Sequence, residues 1–157
     1  KYEDHGKYVH RLLSTGSNTS RNFLQAYVLD NRQTVVKSYY YGTYQVNQQT
    51  LRLSANGEET TFSGRNHHFQ DGAHHEIMTF DEDNALAVLN FINTHQNSKV
   101  RVEGIGDKPT RNWVYYLNDK EKEALSDTYQ LGFIMKDINQ LERMQRTANT
   151  QINRYNK

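Results

Sequence analysis

Four histidines and two acids crowd into ten residues, His67-His68-Phe69-Gln70-Asp71-Gly72-Ala73-His74-His75-Glu76. Neutral imidazole coordinates borderline metals, and its second nitrogen can be held by an outer acceptor. If Asp71-Gly72 is a two-residue turn, His68 lies opposite His75 and His67 opposite Glu76. His74 is then diagonal to His67 on that same face. His67, His74 and Glu76 form the trio that could hold zinc, and a His-centred metal-binding protein or hydrolase on the His67–His75 hairpin is the alternative function. The plainer reading is an exposed hairpin tip rich in histidine. A structural zinc wants four ordered ligands, and this tip offers at most three on one side, so no tightly bound metal and no cofactor is expected. Imidazoles charging together at about pH 6 would repel one another, which is a pH-sensing use of the same residues.

A second set of residues is the aromatic run Tyr39-Tyr40-Tyr41-Gly42-Thr43-Tyr44. Alternation puts Tyr39 and Tyr41 on one strand face and Tyr40 on the other. Exposed tyrosines hold sugars, peptides or bases, because a rigid ring gives contact area at low entropic cost. Tyr39, Tyr41 and Tyr44 are therefore the candidate ligand-binding residues, although tyrosine also suits any half-buried pleated surface. Single-stranded nucleic acid would require cations interleaved with the rings. Lys37 alone lies close, so no nucleic-acid partner is expected.

The remaining chemistry is sparse. Glu103-Gly104-Ile105-Gly106-Asp107-Lys108-Pro109 has glycines and a lysine but joins two strands, whereas phosphate cradles lead into a helix. No serine sits in a strand–turn–helix elbow. Asp81 and Asp83 fit a helix N-terminus better than acid–base work. There is no cysteine, which excludes disulfides, thiolate catalysis and thiolate metal sites. With 19 basic and 18 acidic residues the net charge is +1, so no global field gathers nucleic acid or an anionic membrane. Apolar content of 35% implies a thin core under a polar, Asn- and Gln-rich surface. No transmembrane run is present.

The elements that must position these residues follow from the hydrophobic period, which changes near the middle of the chain. Up to about Phe80 apolar residues recur every second position. Phe23–Leu29 alternates as a strand, with Asp30-Asn31 as a turn. Thr34–Val46 is a long strand pattern in which Gly42 would suit a bulge. Asn56-Gly57 is the strongest hairpin signal, since a type I′ turn needs positive φ at both central residues, and it pairs Leu53 with Thr60 and Leu51 with Phe62. Glu76–Phe80 is another strand.

Asp81 reads as an N-cap, followed by the stripe Ala85, Leu86, Val88, Leu89 and Ile92. Val100 and Val102 begin a strand that returns through Trp113, Tyr115 and Leu117, all facing inward. Asn118 with Glu121 resembles a capping box. Leu131, Ile134, Ile138 and Leu141 in the last helix are expected to pack on the sheet. The stripe beyond them thins to Gln145, Ala148 and Ile152, too weak for a sustained coiled coil, so the last turns should project, fray or meet a partner.

The order strands, helix, strands, long helix predicts an α+β domain: an antiparallel β-meander with a middle helix and a long C-terminal helix packed on one face. Residues 1–20 are expected to be a flexible N-terminal segment. Residues 21–157 form a single domain, strand-rich over 21–80, helical over 81–95, a strand pair over 99–117 and a C-terminal helix over 118–150. The chain begins at Lys1 with a polar, turn-rich stretch, as would follow removal of a signal or lipoprotein leader. The function these features point to is a noncatalytic, extracytoplasmic binding domain, secreted, periplasmic or lipid-anchored, whose ligand is a protein or carbohydrate. A third reading is an assembly subunit that forms a homo-oligomer through its C-terminal helix.

Overall fold

A computed structural model describes residues 6–10 and 21–156. The fold is α+β. Among the described residues nine strands form two antiparallel sheets, with one helix after the seventh strand and a long helix at the C-terminal end. The strands are β1 (Lys7–Val9), β2 (Phe23–Leu29), β3 (Thr34–Gly42), β4 (Thr50–Ala55), β5 (Glu58–Ser63), β6 (Arg65–Gln70), β7 (His74–Asp81), β8 (Arg101–Ile105) and β9 (Trp113–Tyr116). The helices are α1 (Glu82–Thr94) and α2 (Asp119–Tyr155), with a 3₁₀ turn at Pro109–Arg111. Lys7–Val9 pairs with β2 inside the segment expected to be flexible, and the rest of that segment, 1–5 and 11–20, lies outside the described residues.

The first sheet runs β1-β2-β3-β7-β6 and the second β5-β4-β8-β9, so the strands do not make the single meander expected. The division falls at Gly64. β5 belongs to one sheet and β6 to the other, and the chain turns the corner between them through this one residue. A Cβ there would stand 2.7 Å from the carbonyl oxygen of Thr79 and 2.8 Å from the Met78 side chain, so the corner requires glycine.

The Asn56-Gly57 hairpin forms as its chemistry dictates. Asn56 has φ 50° and Gly57 φ 81°, and Leu53 pairs with Thr60 and Leu51 with Phe62. Leu51, Leu53 and Phe62 are all buried. β3, by contrast, ends at Gly42 rather than bulging and running on to Val46. The chain folds over there, and the Tyr40 hydroxyl donates to the Tyr44 carbonyl at 2.9 Å.

The core lies between the inner faces of the two sheets. Leu24, Ala26, Val36, Met78 and Phe80 come from the first sheet, and Leu51, Leu53, Val102 and Trp113 from the second. α1 closes the space with Ala85, Val88, Leu89 and Ile92. Asp81 occupies the N-cap position of α1, but its side chain makes no cap bond and pairs with Arg65 at 2.8 Å instead. The α2 capping box is complete: Asn118 Oδ1 accepts Glu121 N at 2.8 Å, and Glu121 Oε2 accepts Asn118 N at 2.9 Å.

α2 departs most from expectation. Its packed face is Ala124, Leu125, Thr128 and Gly132, not the Leu131/Ile134/Ile138/Leu141 stripe. Gly132 lies so close to Thr34 and Leu86 that a Cβ would collide with the Thr34 hydroxyl. The helix approaches the body through small residues, and that rotation turns Ile134 and Leu141 outward, 54% and 64% exposed.

Candidate functional site

Strand alternation divides the first sheet into an inner face that enters the main core cluster and an outer face on which Phe23, Tyr27 and Val35 are buried while Tyr41 and Phe69 are 36% and 39% exposed. On the outer face the register lines residues up in rows across the strands. Tyr41 of β3 stands opposite His75 of β7, and His75 opposite Phe69 of β6. The next row is Phe23, Tyr39, Ile77 and His67, and beyond it Gln25, Lys37, Thr79 and Arg65. None of the first or second row belongs to the core cluster.

The rows are held by ring contacts. Phe69 stacks on His75 at 4.4 Å with the planes 6° apart, and Tyr41 meets the same imidazole edge-on at 5.1 Å. His75 is buried between them, and its Nε2 lies 2.6 Å from Asp71 Oδ1, which fixes the ring. Phe23 and Tyr39 stack at 4.3 Å. The Tyr39 hydroxyl donates to Gln25 at 3.3 Å, and burial raises its ionisation above the ordinary tyrosine value despite the nearby Lys37 charge. Cations lie over this floor: Lys7 and Lys37 over the Tyr27 ring at 5.0 and 5.8 Å, and Arg21 over Phe23 at 5.4 Å.

Of the three tyrosines singled out in the sequence, Tyr39 and Tyr41 share this face. Tyr44 lies beyond the end of β3, exposed, with the Arg111 guanidinium 5.5 Å from its ring. Phe69 and His75 complete the row, and sequence reasoning missed them because it placed the turn at two residues. Gln70 pairs with His74, so the loop is Asp71, Gly72 and Ala73, and every pairing expected from a two-residue turn shifts by one. His68 therefore faces Glu76, not His75, and Phe69 faces His75.

The same shift separates the histidines. His74, His68 and Glu76 share the inner face, while His67 lies on the outer one opposite Ile77. His68 Nε2 and His74 Nδ1 stand 2.9 Å apart, so the two imidazoles share one hydrogen bond. Glu76 is fully buried and its oxygens are already engaged. Oε1 accepts the backbone N–H groups of Val46 and Asn47 at 2.6 and 2.8 Å. Oε2 accepts that of Gln48 at 2.7 Å and the Asn66 amide at 2.8 Å. The carboxylate closes the loop between β3 and β4. Among the described residues no group of three or more His, Cys, Asp or Glu side chains is placed to hold a metal ion.

No helix among the described residues is long and apolar enough to cross a membrane. No family model, curated protein or solved structure matches the chain.

Proposed function

We propose that the protein is a noncatalytic binding module that holds a carbohydrate chain on the outer face of its first sheet. The observation that carries this reading is the row Tyr41–His75–Phe69, in which an ordered central imidazole supports two partly exposed rings. A pyranose presents flat C–H surfaces that lie well on aromatic faces, and its hydroxyls need hydrogen-bond partners at the rim. Gln25, Lys37, Thr79 and Arg65 supply such partners four residues further along the strands, about 13 Å from the ring row, a span that a chain of two or more sugar units covers. The cations on this face favour sugars that carry carboxylate or sulfate groups over neutral ones.

A panel of immobilised neutral and acidic oligosaccharides tests the reading. Retention of the protein on acidic members, lost in Tyr41→Ala and Phe69→Ala, supports it. Equal retention of the variants, or none of the parent, contradicts it. The extracytoplasmic location belongs to the same proposal, because extended acidic polysaccharides are a cell-surface and matrix material. Fractionation of the native host cells tests that part separately.

A further inference from the structure

One stripe of α2 has a period of its own, with Ile134 and Leu141 exposed and Leu131 and Ile138 half-buried beside the body. Leu131, Ile134, Ile138 and Leu141 recur at steps of three, four and three. The same alternation runs on through Gln145, Ala148, Ile152 and Tyr155. Such steps define the seam of a coiled coil. Below Leu131 the seam is interrupted by Asp127, which is exposed and ion-paired with His10. All residues of α2 from Arg143 to Tyr155 are exposed, so the helix stands roughly 20 Å clear of the body. Ile152 and Tyr155 on that arm are 55% and 91% exposed.

We propose that two copies of this chain pair antiparallel through α2, each laying its arm along the 131–141 stripe of the other, with the two-fold axis beside Arg143. Four observations argue for a second copy. The part of the seam beside the body, 131–141, with Ile134 and Leu141 exposed, and the part on the arm, 145–155, are the same length and mirror each other about residue 143. Ile134 then meets Ile152, Ile138 meets Ala148, and Leu131 meets Tyr155, an isologous contact that closes. Charge favours the antiparallel pair, which makes one like-charge contact where the parallel pair makes two. In a parallel pair the positions flanking the seam set Asp137 against Glu142 of the partner copy twice, whereas the antiparallel pair sets Asp137 against Gln151 and Met144 against Met144. Glu142 also meets its own counterpart across the axis, and each is already neutralised by Arg32 at 2.8 Å.

The fourth observation is a cavity of about 480 Å³ at the body end of the seam. Tyr8, Val9 and Leu131 give it apolar walls, and His10 and Asp127 a polar one. In the antiparallel register Tyr155 of the second copy arrives there, a ring with a hydroxyl at its tip.

Because the chain has no cysteine, introduced thiols report the register without background. Ile134→Cys and Ile152→Cys alter exposed positions, so folding is preserved. The pairing predicts a dimer by sedimentation equilibrium at high micromolar concentration. It predicts rapid disulfide formation when the two variants are mixed, and none in either alone, since like positions then lie about 27 Å apart. It predicts for Ile134→Asp a monomer whose thermal unfolding matches that of the parent diluted until it dissociates. A parent that remains monomeric overturns the proposal, as does crosslinking of each single variant with itself, which would report a parallel pair.

Discussion

The carboxylate of Glu76 accepts the backbone N–H of Gln48 at 2.7 Å, and this contact ties the two sheets together. Gln48 is itself buried. Its amide oxygen accepts the indole N–H of Trp113 at 3.3 Å, so a chain of hydrogen bonds runs from β7 through the 43–49 loop to β9. Glu76→Gln preserves the shape but sets an amide donor against backbone donors. At least one charge-assisted bond is lost and a buried N–H is left unpaired, a cost on the order of 3 kcal/mol. Urea unfolding should show a lower midpoint. An unchanged midpoint would mean that the loop does not depend on the carboxylate.

Leu53 is fully buried at the centre of the second sheet, beside Val102 and opposite Thr60. Leu53→Ala should cost about 2–4 kcal/mol, the transfer term plus a cavity that rigid strands cannot collapse. Calorimetry that finds less than about 1 kcal/mol would place this residue outside the core.

Trp113 is buried and stacks between Tyr40 and Tyr115 at 6.1 and 5.9 Å. Its emission should be blue-shifted in the folded protein and move to the red on unfolding. Emission like that of indole in water from the folded state would reverse the assigned face of β9.

Burial, with the negative charge of Glu121 adding to it, holds the Tyr115 hydroxyl well above the ordinary tyrosine value. The fold therefore favours the neutral form. That stabilisation is whole below about pH 10 and is lost as the pH rises through the folded value. Tyrosinate absorbance should show this residue ionising last, together with alkaline unfolding, and Tyr115→Phe should move unfolding to higher pH. Titration of every tyrosine at the free value, with the fold intact, would contradict this.

The parts of the fold legible in the sequence were those fixed by local chemistry. Asn56-Gly57 had to turn because both residues tolerate positive φ, and Asn118 with Glu121 had to cap a helix because each satisfies the other's N–H. The α1 stripe was legible because one helix face suffices to bury it. The 67–76 hairpin was not, because its loop length is set by contacts at a distance. Asp71 bonds His75, and His75 in turn is clasped by Tyr41 from another strand. Nor could Glu76 be read as a loop-closing acceptor, since its partners at 46–48 lie far along the chain. In α2 the apolar period was plain, but a period does not say which face is covered. Gly132 against Thr34 decided that, and glycine carries no hydrophobic signal.

The central claim is that the outer face of the first sheet is the binding surface, and amide NMR tests it most directly. Titration of the ¹⁵N-labelled protein with an acidic oligosaccharide retained in the panel should shift the amides of 39–41, 67–69 and 75–77 and leave those of 145–155 unmoved. Shifts confined to α2 or the second sheet, or the same shifts in Phe69→Ala at equal affinity, would contradict the account.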